Sequence, residues 1–440
     1  MRERVRINTY ASVTEACDVA VIGGGPAGLT AAVSAARAGK KTLLVERLGA
    51  LGGTATMGLV VPISGFFQNG RRVVGGIAWE LVKLLERQHA AIVEYPKGHV
   101  SFHVETYKLT VQRLCLESGV KLLTNTTLAD CLCREGRITH GIITGKNGWE
   151  AVEAQCFIDA SGEADLCRMA GVPMTPSEEN HQPMSLCFVL EGVDTETELM
   201  RSCIHHTGDK NVHSMNQKIH DYLNACVARG ELEQFGGPWF NTLVQGGALV
   251  VNVTRRAGNG ADRADMTRAE CLLREDMFTI VALLRREFPE FSHCSIVASG
   301  VNAGVRETER ILGIETVTGE NMLAGREYSC PVARCAHPMD RHSVQTSAQT
   351  LQYFDTNAYI PHTALIPRGI CNLLAAGRCL SADAEAYASL RVQATLMAVG
   401  EAAGIMAAQY CDQDGSFADL DPALLRRALE LRGTIPCDNA

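Results

Sequence analysis

The glycines near the start of the chain have the spacing of a site for nucleotide phosphates. Gly23, Gly25 and Gly28 form a G-x-G-x-x-G pattern, with Pro26 and Ala27 between the last two glycines. In such a pattern the first glycine allows a tight turn, the second lets a pyrophosphate approach, and the third lets a helix pack closely on a strand. The N–H groups at the start of that helix would then bind the phosphates.

A carboxylate and a polar loop follow, and they favour one dinucleotide over another. Glu46 ends the next apolar run, where a carboxylate accepts hydrogen bonds from a ribose diol and repels a 2′-phosphate. Directly after it, residues 47–58 form a glycine-rich loop that contains Gly52, Gly53 and Thr54. Such a loop can wrap a longer cofactor, whereas an NAD domain normally continues into another helix. The pattern therefore favours FAD over NAD.

These groups need a strand, a turn, a helix and a second strand to position them. Residues 18–22 form a short apolar run, which predicts a buried parallel strand. Residues 29–38 are rich in alanine and predict a helix, and residues 42–46 predict the second strand. An ordinary βαβ turn without a ligand is the alternative, and the acid in its expected place argues against it.

Two later segments repeat the pattern of a strand that runs into a tight turn, at residues 156–165 and 372–381. The second is followed by a predicted helix at 389–404, for which Ser389 is a plausible N-cap. Gly400 and Gly404 are four residues apart, so this helix can press closely against a neighbour.

Together these segments resemble the FAD-dependent oxidoreductase family related to the fumarate reductase and glutathione reductase flavoproteins. We expect an α/β fold with a discontinuous, Rossmann-like FAD-binding domain, built on a parallel sheet with a β-meander, and an inserted mixed α+β substrate domain. The matching motifs, spread over nearly the whole chain, are residues 23–28, 52–54, 159–162, 304–310, 360–367, 376–381 and 389–392. The expected boundaries are 14–173 for the first part of the FAD domain (with a helical insert at 64–118), 174–361 for the substrate domain and 362–440 for the second part.

The resemblance implies roles for individual residues. The glycine turn would hold the pyrophosphate, Glu46 the ribose, and a strand at 120–128 would pass the adenine edge. A helix start near 389–393 would lie under the flavin pyrimidine ring, where its N–H groups stabilise negative charge. Arg378 stands where many relatives carry an acid that binds the ribityl chain. The residues expected to bind FAD are Gly23, Gly25, Pro26, Ala27, Gly28, Glu46, Arg47, Gly52, Gly53, Thr54, Thr127, Leu128, Ala160, Gly162, Gly377, Arg378, Val392 and Gln393.

Three residues at the joints between the expected domains are candidates for catalysis. Arg306 or Arg391 could bind a carboxylate or another anionic group of the substrate. His362 could act as a general acid or base. The alternatives are structural: Arg306 could belong to a local ion-pair cluster with Glu307 and Arg310, and His362 could be an interface histidine.

The charge, the apolar runs and the cysteine and histidine content of the chain limit the classes of partner and metal site that we expect. The net charge of −8 contains no basic block, which argues against nucleic acid, and no apolar run reaches the ~18 residues that a membrane span needs. The 17 cysteines are scattered without a C-x-x-C motif, which favours a reducing cytoplasm and argues against an iron–sulfur site. The histidine spacings predict no metal site.

The function predicted from these features is hydride transfer between a small organic substrate and flavin N5. Two alternatives remain open: an electron-transfer subunit that works with an iron–sulfur partner, and a flavin-dependent hydroxylase that uses dioxygen. A binding module that keeps FAD only for structure is the least favoured. The sequence leaves a redox partner protein and a homo-oligomer open.

Overall fold

The computed structural model describes residues 9–94, 98–176, 181–204, 216–243, 247–413 and 415–435. We number the elements of this part of the chain in sequence order. The strands are β1 (Ser12–Ile22), β2 (Thr42–Val45), β3 (Phe67–Gln68), β4 (Arg71–Arg72), β5 (Ala91–Glu94), β6 (His99–Phe102), β7 (Lys121–Leu123), β8 (Thr127–Arg134), β9 (Arg137–Gly145), β10 (Gly148–Asp159), β11 (Phe188–Glu191), β12 (Phe235–Thr242), β13 (Leu249–Thr254), β14 (Ser295–Ser299), β15 (Pro331–Cys335), β16 (Met339–His342), β17 (Gln349–Gln352), β18 (Ala358–Pro361) and β19 (Leu373–Ala375). The helices are α1 (Pro26–Arg37), α2 (Gly76–Arg87), α3 (Val104–Glu117), α4 (Asp165–Met169), α5 (Glu198–Arg201), α6 (Gln217–Ala228), α7 (Arg263–Glu287), α8 (Gly319–Leu323), α9 (Ala384–Leu390), α10 (Gln393–Tyr410) and α11 (Pro422–Arg432).

The main sheet combines parallel strands with an antiparallel meander. Its order is β7–β2–β1–β10–β9–β8, and β19 also pairs with β10. Strands β7, β2, β1, β10 and β19 run parallel, while β8, β9 and β10 form the antiparallel meander. The end of β1 is buried on both faces, as its uninterrupted apolar run predicts.

The chain returns to this sheet from far along the sequence. Leu373 of β19 lies in register with Phe157 of β10, so the C-terminal part of the chain completes the sheet that the N-terminal part begins. The predicted α/β class, with a parallel sheet and a β-meander, is confirmed.

Helices α1 and α10 pack lengthwise against each other beside the main sheet. The Oγ1 of Thr30 donates a hydrogen bond to the carbonyl oxygen of Met397 at 2.8 Å, and the Oγ of Ser34 donates to that of Glu401 at 2.9 Å. Helix α10 is buried along almost its whole length, which agrees with its largely apolar sequence.

A second, smaller sheet comes from the middle of the chain. Its order is β12–β13–β11–β14, all of its pairs are antiparallel, and a core rich in phenylalanine lies between it and helices α6 and α7. This mixture of strands and helices has the composition expected of the inserted domain. The boundaries at 174 and 361 stay predictions.

Two details of the predicted elements are wrong. Residues 120–128 do not form one strand: β7 ends at Leu123, the chain turns through Asn125 with φ of 53°, and β8 begins at Thr127. Ser389 does not cap a long helix, because it lies inside α9, and α10 begins only at Gln393 with Val392 as its N-cap.

No helix in the described part of the chain is both long enough and apolar enough to cross a membrane. The described cysteines form no disulfide with one another, and most of them are buried.

Candidate functional site

A cavity of about 350 Å³ lies at the carboxyl ends of the parallel strands. Its opposite wall comes from the middle of the chain, at residues 260–266 and 302–305. In open α/β sheets the carboxyl edge is where ligands bind. The residues predicted for the site that line it are Gly23, Gly25, Pro26, Ala27, Glu46, Arg47, Gly53, Thr54, Ala160, Gly162, Gly377, Arg378, Arg391 and Gln393. Those that do not line it are Gly28, Gly52, Thr127, Leu128, Val392, Arg306 and His362.

At one end of the cavity, Gly25 is the one glycine of the turn at residues 23–28 that leaves space for a ligand beside the backbone. A Cβ at Gly28 would lie 1.8 Å from the carbonyl oxygen of Gly23, so Gly28 serves the packing of α1. At Gly25 the nearest atom to an added Cβ is the Cα of Gly53, at 3.9 Å. The backbone is therefore open to a ligand at Gly25, as a pyrophosphate requires.

Helix α1 begins directly behind this open position. No side chain caps its start, Pro26 is its first residue, and its first turn contains no acidic residue. The N–H groups of the first turn therefore lack an intrahelical partner and face the cavity with the positive end of the helix dipole. This arrangement fits a phosphate group.

Glu46 lies beside the turn and is held firmly in place. Its Oε2 accepts a hydrogen bond from the N–H of Gly24 at 2.6 Å, and its Oε1 accepts one from the N–H of Leu48 at 2.8 Å. Each carboxylate oxygen keeps lone pairs for further donors. Glu46 is therefore oriented to accept hydrogen bonds from the hydroxyls of a ribose.

The glycine-rich loop folds back over the turn. The N–H of Gly52 donates to the carbonyl oxygen of Gly24 at 2.8 Å, which anchors the loop, and a short 3₁₀ turn follows at Gly53–Ala55. Gly52 has φ of 107°, a conformation that favours glycine. Gly52 thus shapes the loop, while Gly53 and Thr54 reach the cavity.

The start of α10 closes the other end of the cavity. No side chain caps this helix, so its first N–H groups are available, and Gln393 and Leu396 line the cavity. The Nε2 of Gln393 donates to the carbonyl oxygen of Val60 at 2.8 Å, while its buried Oε1 has no partner among the described residues. An open glycine turn at one end and a free helix start at the other fit an elongated dinucleotide.

Arg378 stands where many relatives carry an acidic residue, and in this chain it pairs with an acidic side chain. Its guanidinium forms an ion pair with Glu163, and both residues line the cavity. Burial alone would lower the pKa of Arg378, and the Glu163 carboxylate reverses this and raises it. Asp165 lies on the same wall, where burial and the nearby Asp159 raise its pKa to about 6.

The three predicted catalytic residues lie at different distances from the cavity. Arg391 lines it, and Arg306 is the next residue after Val305, which also lines it. Arg306 is not part of an ion pair with Glu307: the Oε1 of Glu307 pairs with Arg310 at 2.9 Å. Arg306 instead donates to the carbonyl oxygen of Pro183 and to the Oγ of Ser185.

His362 is buried in a short 3₁₀ turn, His362–Leu365, away from the cavity lining. Its Nδ1 has no partner among the described residues, and burial lowers its pKa. Its imidazole is therefore neutral at neutral pH.

Sequence reasoning missed a group of residues around Arg391. Its Nη2 donates to the backbone carbonyl of Asp340 at 3.0 Å and lies 3.5 Å from the Oε1 of Gln182. The Oδ2 of Asp340 is 3.0 Å from the Nε2 of His342, whose Nδ1 accepts a hydrogen bond from Arg255 at 2.8 Å. These residues come from separate segments, so no spacing in the sequence connects them.

The described residues contain no cluster of three or more side chains that could bind a metal ion.

Comparison with known proteins identifies the family of the chain. Residues 18–429 match the family of FAD dependent oxidoreductases. Over 199 residues the chain is 30% identical to digeranylgeranylglycerophospholipid reductase 2 of Methanothermobacter thermautotrophicus, a match that covers 42% of this chain and 49% of that protein. Over 183 residues it is 30% identical to the mitochondrial dihydrolipoyl dehydrogenase of Mesocricetus auratus, covering 39% of this chain and 33% of that protein. The chain thus matches at most about half the length of these relatives.

The fold also agrees with that of a solved structure. The structure of BexE covers 94% of this chain and 66% of its own, with a TM-score of 0.50 and 14% sequence identity, so it supports the fold alone. The family match extends over almost the whole chain, from the first strand of the main sheet to α11. The chain therefore belongs to the FAD-dependent oxidoreductase family, and its cofactor is FAD.

Proposed function

We propose that this enzyme is a dehydrogenase or reductase that moves a hydride between a small organic molecule and the flavin. The observation that carries the proposal is one cavity that runs from the open glycine turn to the free start of α10. Beyond the residues expected to hold the cofactor, its walls include the apolar side chains of Met57, Val305 and Leu396 and the cation Arg391. A small, partly apolar substrate with a polar group suits this wall.

When bound, FAD supplies the hydride chemistry at N5, so the protein must bind, orient and shield the reactants. The first turn of α1 and the backbone at Gly25 would hold the pyrophosphate, and Glu46 would hold the ribose. The N–H groups at the start of α10 would stabilise negative charge at the far end of the cofactor. These assignments, and those of the other predicted FAD-binding residues, are proposals.

The role of His362 as an acid or base stays a prediction. Because its ring does not line the cavity, the proposal does not depend on it. A reducing cytoplasm likewise stays a proposal that rests on the cysteine content, and a redox partner and an oligomer are left open by the geometry.

Anaerobic titration of the purified holoenzyme with candidate substrates tests the proposal. A dehydrogenase loses its yellow flavin colour with substrate alone, in the absence of oxygen and of any external reductant. A hydroxylase keeps its colour until a reductant such as a nicotinamide dinucleotide is added. Reduction only by an external reductant, with every substrate tried, would contradict the proposal.

Iron analysis of the same preparation separates the electron-transfer alternative. The described cysteines and histidines give no candidate iron ligands, so we expect FAD without stoichiometric iron. Iron that stays bound in proportion to FAD would favour the alternative of an electron-transfer subunit.

A further inference from the structure

The residues around Arg391 carry an excess of positive charge in a buried place. Arg255 is fully buried, Arg306 is nearly so, and Arg391 is only slightly exposed. Asp340 is the one acidic side chain among the described residues that contacts this group, since nearby Glu307 is matched by Arg310. Three buried cations against one carboxylate are unfavourable unless another anion joins them.

Two histidines lie close to these charges, His342 beside Asp340 and His337 within reach of the charges of Asp340 and Arg391, and they neither add to the positive charge nor balance it. Burial and the nearby Arg306 lower the pKa of His342 to about 3, and burial lowers that of His337. Both rings are therefore neutral at neutral pH. The hydrogen bond from Arg255 to the Nδ1 of His342 places the ring proton on Nε2, facing Asp340.

Arg255 is fixed within this group by its own contacts. Its Nη1 donates to the carbonyl oxygens of Thr346 and Ala348, at 3.0 and 3.3 Å. Its guanidinium also fills the space beside Gly236, where an added Cβ would lie 2.2 Å from it. Arg255 is thus a permanent source of positive charge that does not itself reach the cavity.

Arg306, by contrast, keeps one edge of its guanidinium open. Both of its hydrogen bonds to described residues, to Pro183 and to Ser185, leave from Nη1. Its Nε and Nη2 form the edge that binds a carboxylate side-on. Burial, together with the charges of Arg391 and Arg255, lowers the pKa of Arg306 to about 9, so an anion placed there would relieve repulsion.

Several polar atoms beside these arginines are buried and have no partner among the described residues. They include two donors, the Nε of Arg391 and the Nε2 of Gln182, and one acceptor, the Oδ1 of Asp340. Buried donors of this kind are normally satisfied by a hydrogen bond. Unused donors next to surplus positive charge indicate a site for an oxyanion.

We propose that Arg306 and Arg391, supported by Gln182, bind the carboxylate or another oxyanion of the substrate at the end of the cavity near α10. This inference rests on the proposed function, because it names the class of molecule that the flavin would act on: a small organic anion. The apolar wall at Val305 and Leu396 would then contact its carbon skeleton.

Binding of simple probes to the holoenzyme tests the inference without turnover. The probes are succinate, benzoate and inorganic phosphate, with uncharged succinamide as the matched control. Binding is measured from the change in the flavin absorbance spectrum and from the rise in melting temperature. We expect at least one anion to bind at up to tens of millimolar, and succinamide not to bind.

Substitutions of Arg306 and Arg391 test whether these two arginines bind the anion. Arg306→Gln and Arg391→Gln should weaken binding of the anion about tenfold or more, as the loss of a charge-assisted hydrogen bond does. Arg306→Lys keeps the charge without the planar fork and should weaken it less. Arg268→Gln is the control: it also removes one positive charge, from an arginine on α7 whose side chain is 60% exposed.

The outcomes separate this inference from the proposed function. Failure of every anion to bind protein that is saturated with FAD would overturn the inference, as would equal binding by succinamide or by both glutamine variants. The titration with substrates tests the dehydrogenase proposal independently. Anion binding that depends on Arg306 and Arg391 would support the inference even if no anion reduced the flavin.

Discussion

Gly400 of α10 lies directly against the carbonyl oxygen of Ala27 in α1, so closely that a Cβ added at Gly400 would be 2.0 Å from that oxygen. One turn later Gly404 meets the carbonyl oxygen of Ala31 in the same way, at 2.3 Å. The start of α1 lies at the glycine-turn end of the cavity, and the start of α10 lies at the other end. The contact between these two helices therefore sets the spacing between the two ends of the cavity.

Gly400→Ala should destabilise the protein and reduce its FAD content. Alanine would gain about 1 kcal/mol of helix propensity, but overpacking against a backbone oxygen costs about 1–3 kcal/mol or more, because neither helix can move freely. Urea unfolding and the FAD-to-protein ratio measure the two effects. Gly141→Ala, in β9 and away from the cavity, is the control, since its Cβ would make ordinary contacts at 3.4 Å with Phe157 and at 3.6 Å with Leu128. A Gly400→Ala protein as stable as the wild type would contradict this packing.

Two glycines of the same motif should respond to alanine in opposite ways. Gly25→Ala places a Cβ in open space, so the free energy of unfolding of the apoprotein should change by less than about 0.5 kcal/mol. Its affinity for FAD should fall about tenfold or more, because the methyl group occupies the approach of the pyrophosphate. Gly28→Ala drives a Cβ to 1.8 Å from Gly23 and should prevent folding. If Gly25→Ala bound FAD as tightly as the wild type, the phosphates of FAD would not lie at this turn.

The first half of the site was predictable because its signal is local. The strand, turn, helix and second strand follow one another within residues 18–46, and each glycine's role follows from the backbone geometry of that turn. The structure places Gly23, Gly25 and Glu46 on the cavity and Gly28 in the helix packing, as their types indicate.

The substrate side was not predictable because its residues meet only through the tertiary fold. Gln182, Arg255, Asp340 and Arg391 come from four segments, and no periodicity links them. Arg306 shows the same limit: its neighbours in sequence suggested an ion-pair cluster, but among the described residues the ion pair of Glu307 is with Arg310 and not with Arg306.

The start of α10 shows how tertiary contacts override a local preference. Serine is a good N-cap by type. However, the Oγ of Ser389 donates to the carbonyl oxygen of His337 at 2.6 Å, so this hydroxyl is used across the fold. The break falls instead at Val392, whose extended backbone lets α10 begin at Gln393.

Glu46→Gln should weaken FAD binding while the fold persists. The glutamine keeps one acceptor oxygen, but its amide group would face the N–H of Gly24 or of Leu48, where the carboxylate now accepts at 2.6 and 2.8 Å. The loss of hydrogen bonds to a charged group costs about 1.5–3 kcal/mol, which corresponds to roughly a ten- to hundredfold weaker affinity. Titration of the apoprotein with FAD measures it. Glu105→Gln, an exposed change on α3, should bind FAD like the wild type, and equal affinity in both variants would contradict the role of Glu46.

The buried carboxyl of Glu401 should make stability depend on pH. It is 1% exposed, and its Oε2 accepts a hydrogen bond from the N–H of Ile77 at the start of α2 at 2.9 Å. Burial raises its pKa from 4.5 to about 7, so between these values the folded state holds a proton that the unfolded state has released. The contribution of this group to stability is therefore present below pH 4.5 and is lost as the pH rises to about 7.

Glu401→Gln should abolish that dependence. Within this window the wild type should lose up to roughly 1.4 kcal/mol of unfolding free energy per pH unit relative to the variant, and the difference should level off above the folded pKa. Glutamine still offers an oxygen to the N–H of Ile77, so the variant should fold. Urea unfolding of both proteins at several values from about pH 5 to about pH 8 measures the difference. Parallel profiles would show that Glu401 titrates alike in the folded and unfolded states, and Glu105→Gln should follow the wild-type profile throughout.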